Sequence, residues 1–321
     1  MNYQLLLENL TNPALLFFAL GILAVKLKSD LEIPSTTSKF ISLYLLFSIG
    51  FKGGQELSHS EFSTEILLTI LFAILAAILI PVYVFLISKR KLGVENAGAI
   101  AASYGSVSAV TFVTALNFLE TLSIRSDGHM VAVMALMEAP AIIVGVLLIR
   151  SGSQKVAHNQ SLKSLFIHSL TNSSVLLILG SLIIGCLANE KAAEGIKPFT
   201  NDLFKGFLVI FLLDMGINSA RKLEDFFKHG WFVTLLAVIV PLINGCVAAY
   251  LSQFVTSSEG NRFILAILAA SASYIAVPAA MKISVPNANP SIYVPMTLAI
   301  TFPLNITLGM PIYLAIIELK I

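Results

Sequence analysis

Residues 101–111, AASYGSVSAVT, and residues 269–280, AASASYIAVPAA, place hydroxyls, a glycine and a proline inside stretches otherwise apolar enough to cross a bilayer. The first run holds Ser103, Ser106, Ser108 and Thr111 with Gly105 among them; the second holds Ser271, Ser273 and Tyr274, with Pro278 just after. Glycine weakens a helix, and proline removes a backbone donor and crowds the preceding turn, so both runs are expected to interrupt their helices. Irregular backbone at membrane depth is tolerated only where protein or a watery cavity surrounds it. Such interruptions carry chemistry. The N-termini of half-helices present unpaired N–H groups and a partial positive charge, which together with serine hydroxyls suit a small oxyanion. The opposite half-helix ends, with freed carbonyls, hydroxyls and a carboxylate, suit a hard cation such as sodium. Any one serine is better explained by bonding back to the preceding turn or by close helix packing. The matched pair of clusters favours a site.

Two acids lie deepest in apolar sequence, Glu138 in LMEAPAII and Asp214 in FLLDMGIN. Ionisation there costs at least ~2.5 kcal/mol unless the group is paired or hydrated, which makes each a functional candidate. Glu138, just before Pro140, is expected at a helix break and is the choice for a cation ligand or proton carrier. Asp214 is expected to be structural, neutralised by Lys205 or Arg221. Asn117, Asn218, Asn244 and Asn305 are read as hydrogen-bonding between helices, and Gly50 and Gly54 as a GxxxG packing face. His59, His129, His158, His168 and His229 have no ligand spacing, Cys186 and Cys246 have no CxxC partner, and no hydrolase, zincin, phosphate-loop or dinucleotide signature occurs. The chain reads as a non-enzyme without cofactor or structural metal.

The elements that must position these residues follow from composition. With 57% hydrophobic and 12% charged residues among 321, the chain is an all-α polytopic membrane protein. Its formal charge of +2 argues against nucleic acid as a partner. Ten spans are expected, at 12–28, 38–56, 65–88, 96–119, 129–150, 171–189, 200–220, 231–255, 262–283 and 292–317. The first lacks the basic flank of a cleavable signal and is kept as a spanning helix. Alternating the loops collects thirteen of the twenty Lys and Arg residues on one side, including Lys89, Arg90, Lys91, Arg150, Lys155, Arg221 and Lys228. That side is expected to be cytoplasmic, with both termini outside, in a cell membrane such as the bacterial inner membrane. Lys52, Arg125, Lys191, Lys197, Lys205, Arg262 and Lys320 fall on the opposite side.

A polar segment, 151–170, divides the chain into 1–150 and 171–321 and reads as a cytoplasmic linker. FSIGFKGGQEL from residue 47 resembles LDMGINSARKL from residue 213, AILIPVY around Pro81 resembles AVIVPLI around Pro241, and the two serine runs align, as do MEAP at Pro140 and TFP at Pro303. Four matches in one order, at offsets of 160–168 residues, indicate a repeat. Five helices per half make it inverted, a 5+5 arrangement with the fourth and ninth helices broken.

GSVSAVTFVTALNFLE (105–120), MALMEAPAIIVGVLL (134–148) and SASYIAVPAAMKISVPNANPSIYVPMTLAI (271–300) resemble the SbtA-type sodium-dependent bicarbonate transporters, and the likeness runs from NPALLFFALGIL at residue 12 to the end. The resemblance implies a trimer that imports bicarbonate with sodium, the anion lying between the two broken helices. It points to Gly105, Ser106, Val107, Ser108 and Thr111 in one break and Ser271, Ser273 and Pro278 in the other. Taken with the residue chemistry, the expected anion contacts are Gly105, Ser106, Val107, Ser108, Ser271, Ala272, Ser273 and Tyr274. The expected cation contacts are Ser103, Thr111, Glu138 and Pro278. Where cyanobacterial members carry SSSD this chain has SASY, so Tyr274 replaces an acid, and Glu138 stands for an aspartate. Loss of a carboxylate beside a hard cation weakens its site or changes the coupling ion. The PII-like regulator that accompanies the cyanobacterial proteins is not expected to be a firm partner, because the linker is shorter.

Three functions are open at this point. A symporter of bicarbonate or a similar small monovalent anion leads. A sodium/proton antiporter or carrier of small organic acids would use Glu138 as the exchanging acid. A receptor or scaffold derived from a transporter would bind ligand without flux.

Overall fold

The structure, a computed structural model, describes residues 11–59, 63–152, 162–227 and 230–319. Residues 153–161 of the expected linker therefore fall outside the described residues, as do Lys155, Lys228, Lys320, His158 and His229, whereas the rest of that linker is described and 162–170 of it are helical. Among the described residues the regular elements are helices. In chain order they are α1 Pro13–Lys26, α2 Ser35–Ser58, α3 Thr64–Leu92, α4 Val94–Gly105, α5 Ala109–Thr121, α6 His129–Gly152, α7 Leu162–Leu170, α8 Ser173–Leu187, α9 Glu190–Lys197, α10 Phe204–Phe226, α11 Trp231–Leu251, α12 Glu259–Ala270, α13 Ala276–Ser284 and α14 Pro290–Glu318.

Local chemistry sets the boundaries. Ser63 caps α3 by accepting the Ile66 amide, and Gly93, at φ +78°, ends it. Lys89, Arg90 and Lys91 occupy the last turn of α3, where the helix dipole favours cations. Asn12, Asn172, Asn189 and Ser258 cap α1, α8, α9 and α12 in the same way. Prolines shape α14. It widens into π-helical turns at Met296–Thr301 and Asn305–Gly309, in a segment that carries Pro295, Pro303 and Pro311, none of which can donate to a preceding carbonyl. Neighbouring side chains take up freed carbonyls, as where Ser219 Oγ donates to Leu298 O at 3.0 Å.

Among the described residues six helical stretches are long and apolar enough to cross a membrane: Thr64–Leu92, Val94–Thr121, His129–Gly152, Glu190–Leu223, Trp231–Phe254 and Pro290–Glu318. The remaining expected spans differ for physical reasons. Helices α1 and α8 are apolar but only 14 and 15 residues long. Helix α2 has 24 residues but carries Lys39, Lys52, Gln55 and Glu56, and the ninth expected span is divided into α12 and α13, of 12 and 9 residues.

The helices pack in two groups. Helix α1 lies along α10 and α2 along α8, with the most extensive contacts in the molecule. Glycines make these contacts close. A Cβ on Gly54 would lie 2.1 Å from Leu182 O and one on Gly21 2.3 Å from Leu213 O, so backbone meets backbone. Gly50 faces Ile178 and Ser181, so the expected GxxxG face is the α2–α8 contact. The second group holds α3, α4 and α6 packed on one another, and α11, α12 and the end of α14 packed likewise. Contacts between the groups are thinner, chiefly α10 with α14 and α2 with α6.

Candidate functional site

The two serine runs meet. Helix α4 stops at Gly105 and α5 starts at Ala109; α12 stops at Ala270 and α13 starts at Ala276. Across the crossing, the Ser273 amide donates to Ser103 O at 2.8 Å, and the Ser108 amide donates to Ser271 Oγ at 3.1 Å. Ser271 Oγ in turn donates to Leu268 O at 3.0 Å. Asn305 Nδ2, from one of the wide turns of α14, donates to Ala270 O at 2.8 Å, and its Oδ1 accepts from the Tyr313 hydroxyl at 3.0 Å. These bonds answer for polar backbone that would otherwise be stranded in the interior, where each unsatisfied group costs several kcal/mol.

A cavity of about 30 Å³ lies at this crossing, lined by residues 107–110 and 273–276, by Met134, Ala135 and Glu138 of α6, and by Ser42, Leu46, Ser174 and Ile178 of α2 and α8. It has room for about two waters or an anion of a few atoms. Both second half-helices begin at its wall. Ser108 caps α5 by accepting the Thr111 amide at 3.2 Å, and Ser273 Oγ takes the Val277 amide at 3.4 Å. The amides heading α5 and α13 thus bring two partial positive ends to one small space. Glu138, 9% exposed, supplies a carboxylate, and no described Lys, Arg or His lies within ion-pair distance of it. The Tyr274 hydroxyl is 3.7 Å from Met215 Sδ, and its ring meets Phe302 edge-on at 6.2 Å between centroids.

The expected residues divide accordingly. Val107, Ser108, Glu138, Ser273 and Tyr274 line the cavity; Gly105, Ser106, Ser271 and Ala272 are buried beside it. Gly105 is where α4 meets α3, since a Cβ there would lie 2.1 Å from Pro81 Cγ, and Ser106 Oγ is buried with no partner. Thr111 is buried, with its amide on Ser108. Ser103 bonds back to Ala99 O at 2.9 Å, so its hydroxyl serves its own helix. Pro278 sits within α13 and does not line the cavity.

Three expectations are corrected. Helix α6 runs unbroken through Pro140, so Glu138 is carried by a continuous helix; the breaks facing it belong to α4–α5 and α12–α13. Asp214 accepts from Ser38 Oγ at 2.5 Å and from Asn218 Nδ2 at 3.0 Å, whereas Lys205 pairs with Glu120 at 3.4 Å and Arg221 with Glu32 at 3.6 Å. Its carboxylate is met directly by the Ser38 hydroxyl at the first turn of α2 and by the Asn218 amide of α10; Arg221 acts on it only at longer range, without a direct ion pair. Of the four asparagines, Asn244 and Asn305 bond between elements, Asn244 accepting from Tyr83 at 2.5 Å; Asn218 bonds within α10, and Asn117 lines a larger cavity near the end of α5.

Ser42 and Ser174 were not among the expected site residues. Ser42 lies about two turns into α2 among apolar neighbours, and Ser174 lies in the first turn of α8 beside Asn172 and Ser173, where it reads as part of a capping run.

The sequence model of the Na+-dependent bicarbonate transporter superfamily matches residues 13–318. No curated protein matches the chain. With nearly its whole length covered by that one match, and with its helical, membrane-type build, the chain belongs to the Na+-dependent bicarbonate transporter superfamily.

Proposed function

We propose that the chain is a secondary transporter that carries bicarbonate, or a similarly small monovalent anion, together with sodium, and that the cavity at the crossed breaks holds the cargo. The single observation that carries this reading is the convergence of two half-helix N-termini, the hydroxyls of Ser108 and Ser273 beside them and a lone buried carboxylate on one space of about 30 Å³. Amides and hydroxyls at Ser108, Ser273 and Tyr274 receive the anion. Glu138, with nearby carbonyls and hydroxyls, receives the hard cation. The small volume favours an anion of a few atoms over a multicarbon acid.

The ten-helix, 5+5 inverted repeat is part of the proposal. It is supported by the packing: α1 with α10 and α2 with α8 exchange places under the repeat, and so do Gly21 with Gly185 and Gly50 with Gly216. The α3–α4–α6 and α11–α12–α14 clusters exchange likewise. Because the cavity is walled by both helix groups, we take transport to be movement of the group bearing the breaks against the group of α1, α2, α8 and α10. The distribution of Lys and Arg supports a cell-membrane protein with outward termini. The trimer rests on family resemblance.

Symport of one sodium with one monovalent anion moves no net charge, so each tenfold sodium gradient supplies about 1.4 kcal/mol and the membrane voltage adds nothing. The test is uptake of labelled bicarbonate into proteoliposomes with and without an inward sodium gradient. Uptake above empty liposomes that requires sodium is expected. Background uptake under both conditions removes the proposal.

A further inference from the structure

A second cavity, of about 620 Å³, lies at the opposite ends of α2 and α5 and is bounded by residues 124–128 and by Thr200, Asn201, Phe204 and Lys205. Its wall carries three cations, Lys52, Arg125 and Lys205, and three carboxylates, Glu56, Glu120 and Asp127. Across it Lys205 of α10 pairs with Glu120 of α5 at 3.4 Å, joining the two helix groups. Ser48 Oγ, buried without a partner, and Asn117 also line it.

The same three helices wall both cavities, two to three residues apart along each helix. On α2, Leu46 lines the small cavity and Ile49 the large one; on α5, Val110 and Phe112 do so; on α6, Met134 and Val131. These six side chains are at most 5% exposed. At a rise of about 1.5 Å per residue, an apolar septum about 3–4.5 Å thick, a single layer of side chains, separates the chamber from the crossing. A hydrated ion does not cross such a layer without its side chains parting.

We propose that the large cavity is the external antechamber of the transport path, that the septum is its gate, and that its balanced charge admits both co-ions. This deepens the transport reading and rests on it. Physical selection by charge explains the balance. A chamber of one sign raises the local concentration of one ion and depletes the other, whereas a symporter must be supplied with an anion and a cation through one opening. Three charges of each sign in one polar chamber keep either ion solvated and exclude neither. The chamber lies on the side that holds Lys52, Arg125 and Lys205, opposite the Lys- and Arg-rich face, so it opens outward.

The test uses the full chain in right-side-out vesicles, with Cys186 and Cys246 replaced by serine and Asn117→Cys or Ser42→Cys introduced. A membrane-impermeant methanethiosulfonate added outside is expected to modify Asn117→Cys, to leave Ser42→Cys below the septum largely unmodified, and to block bicarbonate uptake by the modified protein. Resistance of Asn117→Cys to the external reagent, or modification without loss of uptake, overturns the antechamber while leaving the transport reading standing. Absence of uptake and of bicarbonate binding in the unsubstituted protein overturns both.

A second variant probes the charge balance. Lys52→Glu is expected to raise the half-saturating bicarbonate concentration at least about twofold at low ionic strength and to lower that of sodium, both effects shrinking as an impermeant salt is added. Glu120→Gln is expected to shift the two in the opposite sense. Equal shifts for both ions, or shifts indifferent to salt, overturn the charge-balance part.

Discussion

The amide of Ser273 donates to the carbonyl of Ser103 across 2.8 Å, tying the start of one interrupted helix to the end of another that is 170 residues away in the chain. The second tie, Ser108 N–H to Ser271 Oγ at 3.1 Å, runs beside it. Each break therefore completes the other's hydrogen bonding, and neither segment is stable alone at membrane depth.

Ser271→Ala removes the acceptor for a buried amide. The expected loss is about 1–3 kcal/mol, seen as a lower melting temperature of the purified protein. Ser103→Ala deletes only a hydroxyl that bonds back to its own helix at Ala99 and is expected to change stability by no more than about 1 kcal/mol. Equal melting shifts for the two would show that the tie between the breaks contributes nothing.

Glu138→Gln keeps shape and removes charge at a position with no described cationic partner. The variant is expected to assemble normally and to lose sodium affinity by about tenfold or more, corresponding to at least about 1.4 kcal/mol. Sodium titration of bicarbonate uptake measures it. A sodium dependence identical to that of the unsubstituted protein removes Glu138 from the cation site.

Asn305 serves both Ala270 O and the Tyr313 hydroxyl, and no water is needed to complete either bond. Asn305→Leu strands a carbonyl at the end of α12 and is expected to destabilise by about 1–3 kcal/mol, more than Tyr313→Phe, which leaves the Ala270 bond in place. Thermal unfolding of the two variants side by side reads the difference.

Gly54 and Gly180 provide a matched comparison on one helix contact. Gly54→Ala drives a methyl to 2.1 Å from Leu182 O and is expected to cost about 1–3 kcal/mol, because only backbone movement relieves it. Gly180, on α8, has nothing within 4 Å of where an added methyl would stand, and is expected to accept alanine with no loss. Melting temperatures of the two variants should separate clearly.

Much of this arrangement was legible in the amino-acid sequence, for identifiable reasons. Hydroxyls with Gly105 in one apolar run and Ser271 and Ser273 in another conflict with lipid exposure, and that conflict marks a break wherever it occurs. Glu138 stood out for the same reason, a charge in apolar surroundings, and it lies in the cavity wall. Its setting was not, because Pro140 in a sequence does not reveal whether neighbouring helices hold the turn together, and in α6 the helix runs on. The partner of Asp214 was missed because the nearest cations in sequence, Lys205 and Arg221, face Glu120 and Glu32 in space, while Ser38 is brought from 176 residues away. Ser42 and Ser174 gave no signal at all. A hydroxyl two turns into α2, or one within the capping run of α8, has too many ordinary uses for its sequence position to distinguish them.

Helices α1, α2, α8 and α10 touch one another through Gly21, Gly54, Gly185 and Gly216, where main chain lies on main chain. Side chains on the outer flanks, such as Leu16, Leu20, Leu176 and Leu187, take no part in that seam and are exposed. Mutational drift is therefore inexpensive on those flanks, where one greasy residue replaces another freely, and nearly forbidden along the seam. Over long divergence this half of the protein should come to look unrelated to its cousins everywhere except at a few atoms of hydrogen where a methyl would not fit.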